Sequence, residues 1–161
     1  MEEIRRATAA DIDGVWDVLE PIIKAGDTLV HAPDSTKEKI IDLYFADDKF
    51  LYVAEHEDKV VGVFYIKANQ PDLGSHVANA GYMVHQNYRG RGLAEKMCRF
   101  SLVEAKKLGF NAMQFNIVVS TNEVAIRIWK KCGFEIIGTV PKVFQHSKLG
   151  FVDAFVMFQE L

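Results

Sequence analysis

Two cysteines, Cys98 and Cys132, are all the chain contains, and without a second pair they cannot build a disulfide framework or a cysteine metal site. Both lie in stretches read as helix and are taken as reduced and structural; no metal centre is expected. Nowhere is there a run of about 18 apolar residues, the length a membrane-spanning helix needs. The amino terminus, Met1-Glu2-Glu3-Ile4-Arg5-Arg6, is charged where a secretion signal would be apolar. A soluble, cytoplasmic protein with no membrane partner is therefore expected. An excess of positive charge is missing as well. The 19 Lys and Arg stand against 22 Asp and Glu, which provides no general attraction for nucleic acid. With 49% hydrophobic and 25% charged residues over 161 positions, the composition suits one ordinary globular domain, residues 1–161, rather than a disordered chain.

Against this weakly acidic background, one basic turn stands out. The stretch Asn79 to Leu108 begins strand-like, with Tyr82 to Val84 as its centre, and ends with Leu93, Met97, Phe100 and Val103 on one helical stripe. Between the two lies Arg89-Gly90-Arg91-Gly92-Leu93-Ala94. Glycine lets the backbone approach a ligand closely, and the first amides of a helix have no partner inside it, so the junction suits an anion. Two familiar phosphate loops are absent. A P-loop would need Gly-Lys followed by Ser or Thr, which does not follow here. A dinucleotide fingerprint would need a third glycine where Glu95 stands, and that carboxylate would oppose a pyrophosphate. The pattern that is present, Arg-x-x-Gly-x-Ala from Arg89 to Ala94, resembles the GNAT superfamily of acetyl-CoA-dependent N-acetyltransferases. The resemblance implies that the turn cradles the coenzyme A pyrophosphate and that acetyl-CoA also lies along Tyr82, Met83 and Val84.

The rest of the chain has an order of elements similar to that family's. Ile4 to Ala7 reads as a strand, and Thr8 with Asp11 has the spacing of a helix cap. The first helix repeats apolar residues at three and four from Ile12 to Ile23, with Pro21 expected to kink or restart it. Periodicity fails from Gly26 to Pro33, and a second helix is expected to start near Asp34 or Ser35. Phe50 to Ala54 and Val60 to Ala68 read as a hairpin, His76 to Val84 as the next strand, and Ala112 to Val119 as the fifth. Asn122 to Lys131 reads as a helix closed by Gly133. Phe134 to Thr139 and Phe151 to Gln159 then form a last pair joined by a loop containing Pro141 and Gly150. The expectation is an α/β sandwich: the GNAT fold, a mixed and mostly antiparallel sheet flanked by helices.

A second segment, Asn122-Glu123-Val124-Ala125 running to Trp129 and on to Gly133-Phe134, resembles the family's Asn-x-x-Ala-x-x-x-Tyr-x-x-x-Gly-Phe motif, with one departure. Trp129 stands where many relatives place the tyrosine that protonates the departing thiolate, and an indole N–H is no proton source at neutral pH. The strand before the basic turn also lacks the glutamate that many relatives use as a base. It carries Asn79 instead, and Asn116 interrupts the apolar run of the neighbouring strand. An asparagine is disfavoured there unless its amide is satisfied, either in a shared polar site or by backbone groups where the two strands splay apart.

Ser75 to Gly81, Phe115-Asn116, Thr121-Asn122 and Ile128-Trp129 together are similar to fungal acetyltransferases that detoxify proline analogues such as azetidine-2-carboxylate. That likeness implies catalytic-pocket roles for Asn79 and Asn116, and a coenzyme contact for Asn122, which also reads as a helix N-cap. His31 is read as a surface residue. His76, three positions from Asn79, is placed on the opposite strand face. The expected activity is acetyl transfer from acetyl-CoA to a small-molecule amine, with Asn79 and Asn116 ordering the water that takes the proton. A peptide acceptor and a non-catalytic coenzyme sensor are the rival readings. A homodimer is in keeping with the family.

Overall fold

The strands of the central sheet alternate the face on which each residue is buried. In the computed structural model, which describes every residue from Met1 to Leu161, β2 (Lys49–His56) sends Leu51 and Val53 to one side and Tyr52 and Ala54 to the other. β3 (Lys59–Ala68) likewise divides Val63 from Phe64 and Ile66. Burial on both faces is why each reads in sequence as a continuous apolar run. Helices α1 (Ile12–Ala25) and α2 (Lys37–Tyr44) close one face with Leu19, Ile23 and Ile40. Helices α3 (Leu93–Lys107) and α4 (Glu123–Lys131) close the other with Leu93, Met97 and Trp129.

Strands β1 (Glu3–Arg6), β4 (Val77–Val84), β5 (Ala112–Val119), β6 (Glu135–His146) and β7 (Gly150–Glu160) complete a seven-stranded sheet of order β1-β2-β3-β4-β5-β7-β6. Every neighbouring pair is antiparallel except β4 and β5. The order of helices and strands is the one predicted.

Four local expectations are corrected. Helix α2 starts at Lys37 because Thr36 caps it, accepting from the Lys39 amide at 3.2 Å. Helix α1 runs through Pro21 to Ala25 without restarting. On α3 the buried stripe advances in steps of four, through Leu93, Met97, Ser101 and Ala105, so the path through Val103 drifts off the face and leaves that residue exposed. The loop expected around Pro141 is strand, and only Ser147 to Leu149 turn. Proline is tolerated because β6 is the sheet edge and its register breaks between Val140 and Phe144.

Candidate active site

Strands β4 and β5 pair only at Val77–Ala112 and Ala78–Met113, and then part. Beyond that point β5 bulges. Its register with β7 jumps from Phe115–Met157 to Val118–Phe155, so Asn116 and Ile117 together oppose the single residue Val156. Along β4, the Val77 carbonyl accepts from Asn69 and the His85 amide donates to Val61. That alternation turns odd-numbered residues toward β3, and the amides of Ala80, Tyr82 and Val84 face the opening. Of the residues along which acetyl-CoA is expected to lie, Tyr82 and Val84 turn their amides to the gap and Met83 turns its amide to β3. Parting would leave the Gln114 carbonyl without a partner, and Asn79 Nδ2 donates to it at 3.0 Å.

Two clefts meet at this opening, both walled by Gly81, Phe115 and Ile117. The larger, of about 650 Å³, extends past Tyr82 and Val84 to Arg89, Gly90 and Gly92 on one side and to Asn122 and Trp129 on the other. Gly90 and Gly92 adopt φ of +76° and +79°, and a Cβ on either would meet nothing within 4 Å. This is an open cradle at the start of α3, where the Leu93 and Ala94 amides precede the first intrahelical bond, Lys96 to Gly92. The cradle suits a phosphate group. Arg89 lies in the cleft wall, whereas the Arg91 guanidinium sits 4.6 Å from the centre of the Tyr88 ring and is absent from that wall. Glu95 does not oppose an anion here, because its carboxylate is paired with Arg99 and Lys131, each at 2.9 Å.

Across the cleft, Asn122 Oδ1 caps α4 by accepting from Ala125 N at 3.3 Å. Trp129 packs against Tyr82 and Phe115 with ring centroids at 4.8 and 5.4 Å. The Tyr82 hydroxyl is committed to Ser101 at 2.6 Å, and burial pushes its pKa well above the ordinary phenol value. Tyr82 therefore offers the cleft its backbone and ring, not a proton.

The smaller cleft, of about 330 Å³, gathers Asn79, Asn116, Tyr65, Tyr44, His31, Lys49 and Lys67. Asn79 and Asn116 are brought to one cavity but do not bond to each other. Asn116 donates to Asn69 Oδ1 at 2.7 Å and accepts from Gln114 Nε2 at 3.0 Å. Tyr65 lies over Gly81, where any Cβ would meet its ring at 2.9 Å, and its hydroxyl donates to Asn79 Oδ1 at 3.4 Å. Lys49 and Lys67 are directly opposite in the β2–β3 ladder. Like charges so placed repel, and one carboxylate serves both: Asp48 lies 2.7 Å from Lys49 and 3.2 Å from Lys67. The cleft is left with excess positive charge. His31 is half-buried in this wall rather than on the surface, with Nε2 3.1 Å from the Tyr44 hydroxyl. His76 is exposed, just before β4.

No motif announced the lysine pair or the tyrosines. The signal available was period two in β3, which puts Val63, Tyr65 and Lys67 on one face and so marks a side of the strand turning polar.

Residues 16–134 match the model of the acetyltransferase (GNAT) family. The N-acetyltransferase aca1 of Schizosaccharomyces pombe is 33% identical over 98 residues, 60% of this chain and 47% of that protein. The L-amino acid N-acetyltransferase AaaT of Escherichia coli is 33% identical over 106 residues, 65% of this chain and 64% of that one. The matches thus span less than two thirds of either curated relative. A solved GCN5-related N-acetyltransferase from Kribbella flavida superposes with a TM-score of 0.92 at 36% identity, covering 99% of this chain and 98% of its own. The family model covers most of the chain and the solved relative superposes over nearly its whole length, so this chain belongs to the GNAT acetyltransferase family.

Proposed function

We propose that the protein transfers the acetyl group of acetyl-CoA to the amine of a small molecule carrying a carboxylate, an amino or imino acid of the proline-analogue kind. The observation that carries this reading is the meeting of the two clefts at the β4–β5 opening, one with an anion cradle and the other with Lys49 and Lys67 beside Asn79 and Asn116. The name of the AaaT relative, an L-amino acid N-acetyltransferase, supports the acceptor class.

Arg89, Gly90, Gly92 and the Leu93 and Ala94 amides would hold the pyrophosphate, and Asn122 would border the coenzyme from α4. Bound there, acetyl-CoA supplies an activated acetyl thioester. The Val84 amide, facing the gap, polarises the carbonyl, and the clefts hold amine and carbonyl together; juxtaposition and polarisation provide most of the rate gain. Lys49 and Lys67 receive the acceptor carboxylate. Asn79 and Asn116 position the amine or its water.

The edge strand β6 and its neighbour β7 expose Ile137, Val143 and Phe151, a surface suited to a second copy of the chain, and a homodimer belongs to this reading. Sedimentation would show it.

The acceptor class is tested by comparing azetidine-2-carboxylate with its carboxamide as acetyl acceptors. Lys67→Met should raise KM for the acid about tenfold, the loss of one charge-assisted bond of about 1.5 kcal/mol, and leave the carboxamide unchanged. Equal effects on both acceptors would remove the carboxylate from the account.

A further inference from the structure

We infer that His31, in the wall of the smaller cleft, accepts the proton of the incoming amine at Nδ1, with Nε2 held by the Tyr44 hydroxyl. This inference rests on the acetyltransferase reading above. The amine acceptor of such a reaction arrives mostly as an ammonium ion at neutral pH, so a base is needed, and neither β4 nor the lining of the smaller cleft contains an Asp or Glu. Five titratable side chains line that cleft: His31 from the α1–α2 loop, Tyr44 from α2, Lys49 from β2, and Tyr65 and Lys67 from β3. Burial drives both phenols above their ordinary value, so they remain protonated, and both lysines are cations paired with Asp48. Within this cleft His31 alone is left to receive a proton; Asp27, the one carboxylate among the lining residues of the larger cleft, is not in the wall of the smaller one.

Its surroundings suit that task. Burial, then the charges of Lys39 and Lys49, push the imidazole below its ordinary value, so it is neutral and able to accept at pH 7. Tyr44 is 3% exposed and is wedged edge-on against Tyr65, with centroids at 5.9 Å, which fixes its hydroxyl 3.1 Å from Nε2. In the tautomer that accepts at Nδ1, Nε2 carries the hydrogen and the Tyr44 hydroxyl oxygen accepts from it, which stabilises the imidazolium that forms. Nδ1 has no partner within the protein. The loop carrying His31 is anchored at its start, where the Ser147 amide donates to the Gly26 carbonyl at 2.9 Å and Ser147 Oγ to the Ala25 carbonyl at 2.7 Å.

The protons balance. One leaves the ammonium for His31 and passes to solvent. The freed nitrogen lone pair then forms the C–N bond as the C–S bond breaks, and the second proton, shed by the acylated nitrogen, balances the departing thiolate.

The test is the pH dependence of kcat/KM for His31→Gln and Tyr44→Phe with azetidine-2-carboxylate as acceptor. The unaltered protein should show a plateau that falls only below the ordinary histidine value. In His31→Gln the plateau should become a continuous rise toward the amine's own pKa, with a loss of about a hundredfold at pH 7 that fades as pH increases. Tyr44→Phe keeps the ring in the core and removes only the Nε2 partner, so its lower limb should move to still lower pH. Melting temperature and its increase with coenzyme A serve as folding controls, and Tyr44→Phe carries the test should His31→Gln fail to fold. A uniform loss at every pH, or no loss, would overturn the role of His31. Absence of turnover by the unaltered protein with any amine would instead overturn the acetyltransferase reading.

Discussion

Trp129 occupies the position at which the family motif has a tyrosine, and its packing argues against a role as proton donor. The indole is 8% exposed and wedged between Tyr82 and Phe115, so its contribution is to the shape of the cleft wall. A thiol leaving group has a pKa near that of cysteine, about 8.5, and needs little help to depart. Trp129→Phe should therefore lower kcat by much less than the hundredfold or more that general acid catalysis typically provides. A loss of about a thousandfold, with coenzyme affinity intact, would place the indole in the chemistry. Asn79 has a double duty, since the same amide that lines the smaller cleft satisfies the Gln114 carbonyl. Asn79→Ala should cost about 1–3 kcal/mol in transition-state binding, roughly tenfold to a hundredfold in kcat/KM, and leave coenzyme A affinity nearly unchanged. It should also lower the melting temperature, because it strands a backbone carbonyl. Both asparagines were visible in the sequence as polar interruptions of apolar strands. That Asn79 reaches a backbone carbonyl as well as Tyr65, whereas Asn116 bonds to side chains alone, depends on where β4 and β5 part, which no local pattern encodes.

At the level of single elements, the strand–turn–helix around Arg89 was the most legible part of the chain. Its glycines, its helix start and its flanking periodicity are all local. The turn also yields the sharpest element-level prediction. Coenzyme A should raise the melting temperature of the unaltered protein, as any ligand specific to the folded state does. Arg89→Glu with Gly92→Asp should abolish that increase by putting charge and bulk into the open cradle, and an undiminished increase would move the phosphate site elsewhere. The α1–α2 loop was the least legible, because His31 acquires its role only when α2 presents Tyr44 and β3 presents Tyr65. The β6–β7 hairpin was misread for a similar reason. Pro141 marks a loop unless the strand is known to be an edge, and edge position is a property of the whole sheet.

For the whole molecule, charge pairs tie distant segments of the chain together. Arg5 on β1 bonds Asp11 ahead of α1 at 2.8 and 2.9 Å and also Glu55 on β2. The capping spacing of Thr8 and Asp11 was readable; the third partner, 50 residues from Arg5, was not. The Arg5 guanidinium holds the Asp11 carboxyl below the usual carboxylate range. Its contribution to stability is therefore complete above the unfolded value of about 3.9 and is lost as pH falls through the folded value. Asp11→Asn should lower the melting temperature at pH 7 by a few degrees, from a lost ion pair with the one-third-exposed Arg5 of about 1 kcal/mol, at about 2–4 °C per kcal/mol for a chain of this size. The difference from the unaltered protein should shrink below pH 3, as thermal scans would record; a constant difference would mean the carboxylate charge is immaterial.

The most direct test of the central claim, that the joined clefts carry acetyl from coenzyme A to a small carboxylate-bearing amine, is thiol release from acetyl-CoA. Azetidine-2-carboxylate, proline-like acids, primary amino acids and short peptides would be assayed in parallel, with the acetylated product identified by mass. The account predicts turnover with the small acids, a stoichiometric N-acetyl product, and a clear loss on Asn79→Ala. Turnover confined to peptides and indifferent to Asn79→Ala, or coenzyme binding without turnover of any amine, would contradict it.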